Sequence, residues 1–179
     1  MRKLFISLLV VLVSAGASAQ QRYVDAAELT VIGQPVPTDR PFARVDTSVY
    51  KFNDATIDRY ANYSTGLAVL FTTDSRNIKA RWETSGANSG SNMAAIGQKG
   101  LDLYIKKDGE WVFAGVGLPA MNKAPYDRHE STLVAHMEPG VKECLLYLPL
   151  FDKVDNLEIG VDQEAFIRPL ANPFRHKIV

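Results

Sequence analysis

The chain has 179 residues, with 20 Lys and Arg against 20 Asp and Glu, 46% apolar residues and a single cysteine. That composition excludes a disordered tail, a collagen-like repeat and a coiled coil, and the lone cysteine excludes a disulfide-stapled mini-fold or a cysteine zinc site. Zero net charge without a basic run excludes nucleic-acid binding driven by phosphate neutralisation.

The N-terminus reads as an export signal. Met1-Arg2-Lys3 is positive, Leu4 to Val13 is apolar except for Ser7, and Ala17-Ser18-Ala19 supplies a small-residue cleavage pattern before Gln20. Such a run rises only about 15 Å as a helix, half of a hydrocarbon core of about 30 Å, so it is too short to span a membrane. Cleavage near Ala19 leaves 18 basic against 20 acidic residues and predicts a secreted or periplasmic domain.

The remaining pattern is strands and turns. Leu29 to Gly33 reads as a first strand. Leu67 to Phe71 reads as another, apolar on both faces. Asn77 to Glu83 alternates cleanly, with Ile78, Ala80 and Trp82 on one face and Lys79, Arg81 and Glu83 on the other, which marks a half-buried strand. Next comes the polar, glycine-rich stretch Ser85 to Asn92. It lacks the Gly-Lys-Ser/Thr of a phosphate-binding loop, and it is either a flexible connection or a loop presenting Asn88, Ser91 and Asn92 to a sugar.

Leu101, Leu103 and Ile105 alternate with Asp102, Tyr104 and Lys106, and Asp108-Gly109 then joins this run to Glu110-Trp111-Val112-Phe113-Ala114. Asp-Gly between two alternating runs signals a hairpin, because glycine takes the positive φ that such turns need. Trp82 and Trp111, the latter with Phe113, are expected to face the core, whereas Tyr104 falls on the polar side as an exposed contact or a hydrogen-bonded strut. Gly115 to Arg128 is a second ambiguous loop. Thr132 to His136, Glu143 to Leu148 and Leu157 to Val161 complete the strands, and no window after the signal holds a 3.6-residue period. The fold class is therefore all-β, an antiparallel two-sheet sandwich with a jelly roll as the favoured topology. Leu67 to Phe71 and Cys144 to Leu148 carry apolar residues on the face that a sandwich normally turns to water. A loop, a short helix or a neighbouring domain must cover them, and a neighbouring domain is favoured. Cys144 reads as a buried, inert thiol.

Catalytic chemistry is sparse. His129, His136 and His176 form no close pair of metal ligands, and no Gly-x-Ser-x-Gly elbow is present. On a strand His129 and Glu130 point to opposite faces, while His136 and Glu138 share one. No cofactor or metal is implied. An autonomous small hydrolase would have to use His129 or His136.

At Gly100-Leu101-Asp102-Leu103-Tyr104 the sequence resembles the small β-sandwich domain that precedes SGNH-type (GDSL-like) esterases of secreting bacteria. The resemblance takes in Ile78 to Trp82, Gly97 to Gly100 and Leu157 to Asp162, and spans most of residues 24–179. It implies residues 1–19 as signal peptide, 20–170 as an accessory sandwich and 171–179 as a linker into a C-terminal SGNH hydrolase domain. The Gly-x-Ser-Ile-Thr-type block that carries the nucleophile in such hydrolases is not in this sequence. The expected function is that of a non-catalytic module supporting an esterase of acyl groups, plausibly those of acetylated polysaccharide. In this motif Gly100 is expected to exploit positive φ, Leu103 to enter the core, and Asp102 and Tyr104 to seat the adjoining domain. The alternative is a free-standing carbohydrate-binding module with the Ser85 to Asn92 loop and Tyr104 as contacts.

Overall fold

The computed structural model describes residues 20–36, 38–87, 91–122 and 124–174. The stretch expected to be an export signal, Asn88, His176 and the last residues of the expected linker lie outside them. Ten strands follow in order: β1 (Gln21–Asp25), β2 (Thr30–Ile32), β3 (Ala68–Thr73), β4 (Ile78–Thr84), β5 (Leu101–Lys107), β6 (Glu110–Gly117), β7 (Arg128–Val134), β8 (Lys142–Tyr147), β9 (Val154–Asp162) and β10 (Ile167–Pro169). Among the described residues two short α-helices interrupt them, α1 (Ala55–Ala61) and α2 (Ala95–Lys99), besides a single 3-10 turn at Ala26–Glu28.

The strands pair antiparallel in two sheets, one in the order β1-β9-β4-β7 and the other β10-β3-β8-β5-β6. In the second sheet β2 meets β3 at Leu70 to Ala68 and β10 meets it at Thr73 to Phe71, so the two short strands lie end to end along β3. With β2 and β10 set aside, the orders 1-9-4-7 and 3-8-5-6 are those of a jelly roll built from two Greek keys.

The alternation in β4 holds as expected: Ile78, Ala80 and Trp82 are buried between the sheets. They meet Val69 and Phe71 of β3, Leu101 and Leu103 of β5, Cys144 and Leu146 of β8, and Leu157, Ile159 and Val161 of β9. Burial pushes the Cys144 thiol up to about 12, so it stays protonated and inert. The Asp108-Gly109 turn closes a tight hairpin, with both residues at positive φ (53° and 89°) and Lys107 opposite Glu110. A two-residue turn with both central residues at positive φ matches the twist of the flanking strands.

That hairpin corrects one expectation. Its register sets Trp111 opposite Lys106 and Phe113 opposite Tyr104, so both aromatic rings lie on the outer face with Tyr104 and not in the core. A bulge between Leu103 and Tyr104 leaves Ala114 without a partner and keeps Phe113 beside Tyr104.

The outer face of the six-stranded sheet corrects a second. Leu70 (0% exposed) and Leu145 (2%) are buried without a neighbouring domain, together with Ala68. Ile32, Tyr104, Trp111 and Leu170 pack over them. The chain folds its own edge strand, its own aromatic residues and the residue following β10 across the doubly apolar strands.

The helices are the elements absent from the sequence reading. Helix α1 starts at Asp54, whose carboxylate accepts the backbone N–H groups of Thr56 and Ile57, an N-cap that satisfies otherwise orphaned donors. Strand β7 ends at Val134, so His136 lies beyond it, exposed and at φ 58°, and does not pair with Glu138 across a strand face.

Candidate functional site

The GxDLY strand divides its residues between two environments. Gly100 links α2 to β5, with φ −72° rather than the expected positive value. Glycine is required there by close approach: a Cβ would stand 2.4 Å from the carbonyl oxygen of Ile96 and 3.2 Å from that of Gly117. Its N–H donates to that Ile96 carbonyl at 2.9 Å, locking the last turn of α2 onto the strand.

Leu101 and Leu103 enter the core, and Asp102 and Tyr104 point outward. Tyr104 is half-buried and meets Phe113 and Tyr147 edge-on, with ring centroids 5.7 and 5.8 Å apart. Asp102 is exposed, sits opposite Tyr147 and Val116, and makes no side-chain hydrogen bond among the described residues. Registers across four strands line up Leu70, Leu145, Tyr104 and Phe113 in one row. Phe113 (55% exposed) forms its open end, and Tyr147 (38%) lies in the neighbouring row, opposite Asp102. Lys106 adds a cation over the Trp111 ring, 5.7 Å from its centroid, and bonds Glu143 at 3.0 Å.

Behind the motif lies a polar network that the sequence reading missed. Lys99, the last residue of α2, is fully buried and its ammonium meets the Asp152 carboxylate at 2.5 Å. It also donates to Thr84 Oγ1 and to the Ser85 carbonyl. Asp152 accepts further bonds from the Ser85 hydroxyl at 2.9 Å and from the Lys153 N–H. Trp82 Nε1 donates to the Lys99 carbonyl at 2.8 Å. A buried charge survives only when paired and hydrogen-bonded, and here both requirements are met.

His129 completes the network. Its Nδ1 accepts the Ala120 N–H at 3.1 Å, so its Nε2 carries the proton and donates to Thr84 Oγ1 at 2.9 Å. Burial first, and then the charge of Lys99, pull the imidazole pKa down to about 4. Thr84 and His129 are both buried, so this pair offers neither an accessible nucleophile nor a base to a substrate. His129 and Glu130 do point to opposite faces: Glu130 bonds Arg81 and the Tyr23 hydroxyl on the solvent side, and the Arg81 hydrogen bond chiefly holds its carboxyl below the usual range. Among the described residues no group of three His, Cys, Asp or Glu side chains is placed to hold a metal ion.

The polar loop after β4 opens onto a pocket of about 770 Å³, walled by α1, the start of the β4–α2 loop, α2 and the β8–β9 connection. Asn92 lines it, Ser91 is exposed beside it in sequence, and Asn88 lies outside the described residues. Neither Asp102 nor Tyr104 belongs to its walls, so the two sets of predicted contact residues are not brought together. Arg40, Arg59, Tyr60 and Tyr63, none of them marked by the sequence reading, form its opposite side. Only Arg59 and Tyr60 belong to α1, with Arg40 in the chain before it and Tyr63 after it, so no local motif marks the set and only the tertiary fold collects it.

The family model GxDLY, described as the N-terminus of an SGNH-hydrolase-type esterase, matches residues 21–167. A crystal structure of a protein from Bacteroides ovatus ATCC 8483, described as a GDSL-like lipase, superposes with a TM-score of 0.81 at 44% identity, covering 87% of this chain and 45% of that one. The salicylyl-acyltransferase SsfX3 of a tetracycline biosynthetic pathway superposes with a TM-score of 0.59 at 19% identity, over 85% of this chain and 42% of that one, a likeness of fold alone. This chain thus spans less than half the length of either protein. No curated protein matches it.

Proposed function

Since the chain belongs to the GxDLY family, the N-terminus of SGNH-hydrolase-type esterases, we propose that it is the non-catalytic accessory module of an exported esterase, carrying a hydrolase domain on its outer aromatic face. The observation that supports this most is the open end of the row on the six-stranded sheet. Phe113 and Tyr147 are large, partly exposed rings flanking a carboxylate, Asp102, that has no partner within the described chain. Aromatic anchors beside a charge suit a domain contact better than a solvated face. Leu170 also packs on this sheet face, so the chain leaves β10 next to the surface that a following domain would cover. Residues 171–179 then serve as the linker and residues 1–19 as the cleaved leader that sends the protein out of the cytoplasm. In this reading the hydrolase domain supplies nucleophile, base and oxyanion site, and acts on acyl esters carried by polysaccharide.

The test uses the hydrolase domain of the Bacteroides ovatus relative, produced separately and titrated with this chain in a calorimeter. Saturable one-to-one association is expected, weakened about tenfold by Asp102→Ala and by Phe113→Ser, in keeping with loss of an interface anchor. No association, or equal association by both variants, would overturn the docking face.

A further inference from the structure

The pocket beside α1 has the features of a built ligand site. Its 770 Å³ volume lies within the range of about 300–1,000 Å³ typical of small-molecule sites. Gln98 lines it, is only 9% exposed, and has an enclosed Oε1 without a hydrogen-bond partner among the described residues. Buried side-chain oxygens are nearly always satisfied in folded proteins, and the described residues supply no donor for this one. The charge around the pocket is unbalanced as well. Arg40 and Arg59 both line it, and among the described residues neither forms a salt bridge. Among the described residues Arg40 commits only Nη2, to Asn62 Oδ1, out of the five N–H donors of a guanidinium. Asp152, the carboxylate in the pocket wall, is already neutralised by Lys99, and Lys153 is held by Asp155. Tyr60 and Tyr63 stand 5.4 Å apart between ring centroids and give one wall an aromatic surface.

We propose that this pocket binds an acidic oligosaccharide through a uronate. The carboxylate pairs with Arg59 and the free edge of Arg40, a charge-assisted contact that a guanidinium makes in bidentate form. A sugar ring lies against Tyr60 and Tyr63 and exchanges hydrogen bonds with Asn92, and a turn of the Gln98 amide, whose Oε1 is enclosed in the free protein, brings that oxygen to the sugar hydroxyls. A lone phosphate would satisfy the arginines but leave the aromatic wall, Gln98 and most of the volume unused. The inference rests on the polysaccharide-directed reading only in choosing a sugar to carry the carboxylate, and binding by this chain alone is independent of the docking face.

The experiment titrates the full chain with trigalacturonate, xylotriose and inorganic phosphate at neutral pH and low salt, by calorimetry and amide-shift mapping. Trigalacturonate is expected to bind saturably and to shift amides of α1 and α2, with xylotriose and phosphate at least tenfold weaker. Arg59→Gln, on the exposed face of α1, and Gln98→Met should each weaken trigalacturonate about tenfold, the scale of a lost hydrogen bond to a charged or buried group. Both should leave association with the hydrolase domain unchanged. Equal binding of xylotriose or phosphate, undiminished affinity in Arg59→Gln, or no binding of trigalacturonate would each overturn the proposal. None of these results bears on the docking test, which reads Asp102 and Phe113.

Discussion

His129 shows how much the sandwich asks of one residue. The imidazole is held neutral between the Ala120 N–H and Thr84, close to a buried ammonium, with a folded pKa of about 4 against an unfolded value of about 6.5. The unfolded chain therefore binds the extra proton first as pH falls. Stability contributed by the neutral ring is complete above about pH 6.5, declines through the window down to about pH 4 and levels off below it. At pH 5 the loss relative to pH 7.5 amounts to about 2 kcal/mol, readable from urea midpoints at the two pH values. His129→Gln should flatten that part of the profile, and a wild-type profile level between pH 7.5 and 5 would refute the assignment. Asp162 belongs to another such set. Burial works against its charge, but hydrogen bonds from Asn77, Arg76 and Ser75 outweigh it and hold the carboxyl below its ordinary value. Neither role is written in the sequence around the residue. His129 is flanked there by Arg128 and Glu130, both exposed, and its actual partners come from β4, α2 and the loop before β7.

Among the elements, the β5–β6 hairpin was the most legible and the most instructive. Asp108-Gly109 fixes the turn locally, and the turn alone fixes the register that sets Trp111 opposite Lys106. The outward placement of Trp111 and Phe113 thus follows from the turn, against the general tendency of the largest apolar residues to enter the core. Helices α1 and α2, of seven and five residues, escaped because a helix this short holds less than two full apolar turns. Gly100 and Gly109 illustrate two different demands for glycine. At Gly109 an added Cβ meets nothing within 4 Å, so only the positive φ resists substitution, and Gly109→Ala should cost about 1 kcal/mol. At Gly100 the φ is ordinary but the Cβ would press on the Ile96 carbonyl, so Gly100→Ala should cost about 3 kcal/mol, the upper end of overpacking. Urea unfolding of the two variants decides it, and equal costs would remove the close-approach explanation.

At the scale of the whole molecule, the outer face of the six-stranded sheet separates self-sufficiency from partnership. Leu70 and Leu145 are covered by the chain's own Ile32, Tyr104, Trp111 and Leu170, leaving Phe113 and Tyr147 as the uncovered remainder. The chain without a hydrolase domain is therefore expected to unfold in one cooperative urea transition and to bind no hydrophobic dye beforehand. A broad transition with strong dye binding would mean that the doubly apolar strands need a partner after all. Alternation in β4 and β5, the Asp-Gly turn and the spacing of short apolar runs determined the all-β sandwich and the GxDLY strand from sequence alone, because those signals act between residues a few positions apart. The covering of the outer face, the Lys99–Asp152–His129 network and the arginine-lined pocket were decided only in the tertiary structure. Each depends on groups from strands and loops far apart in the chain, whose meeting is set by sheet order and not by any local pattern.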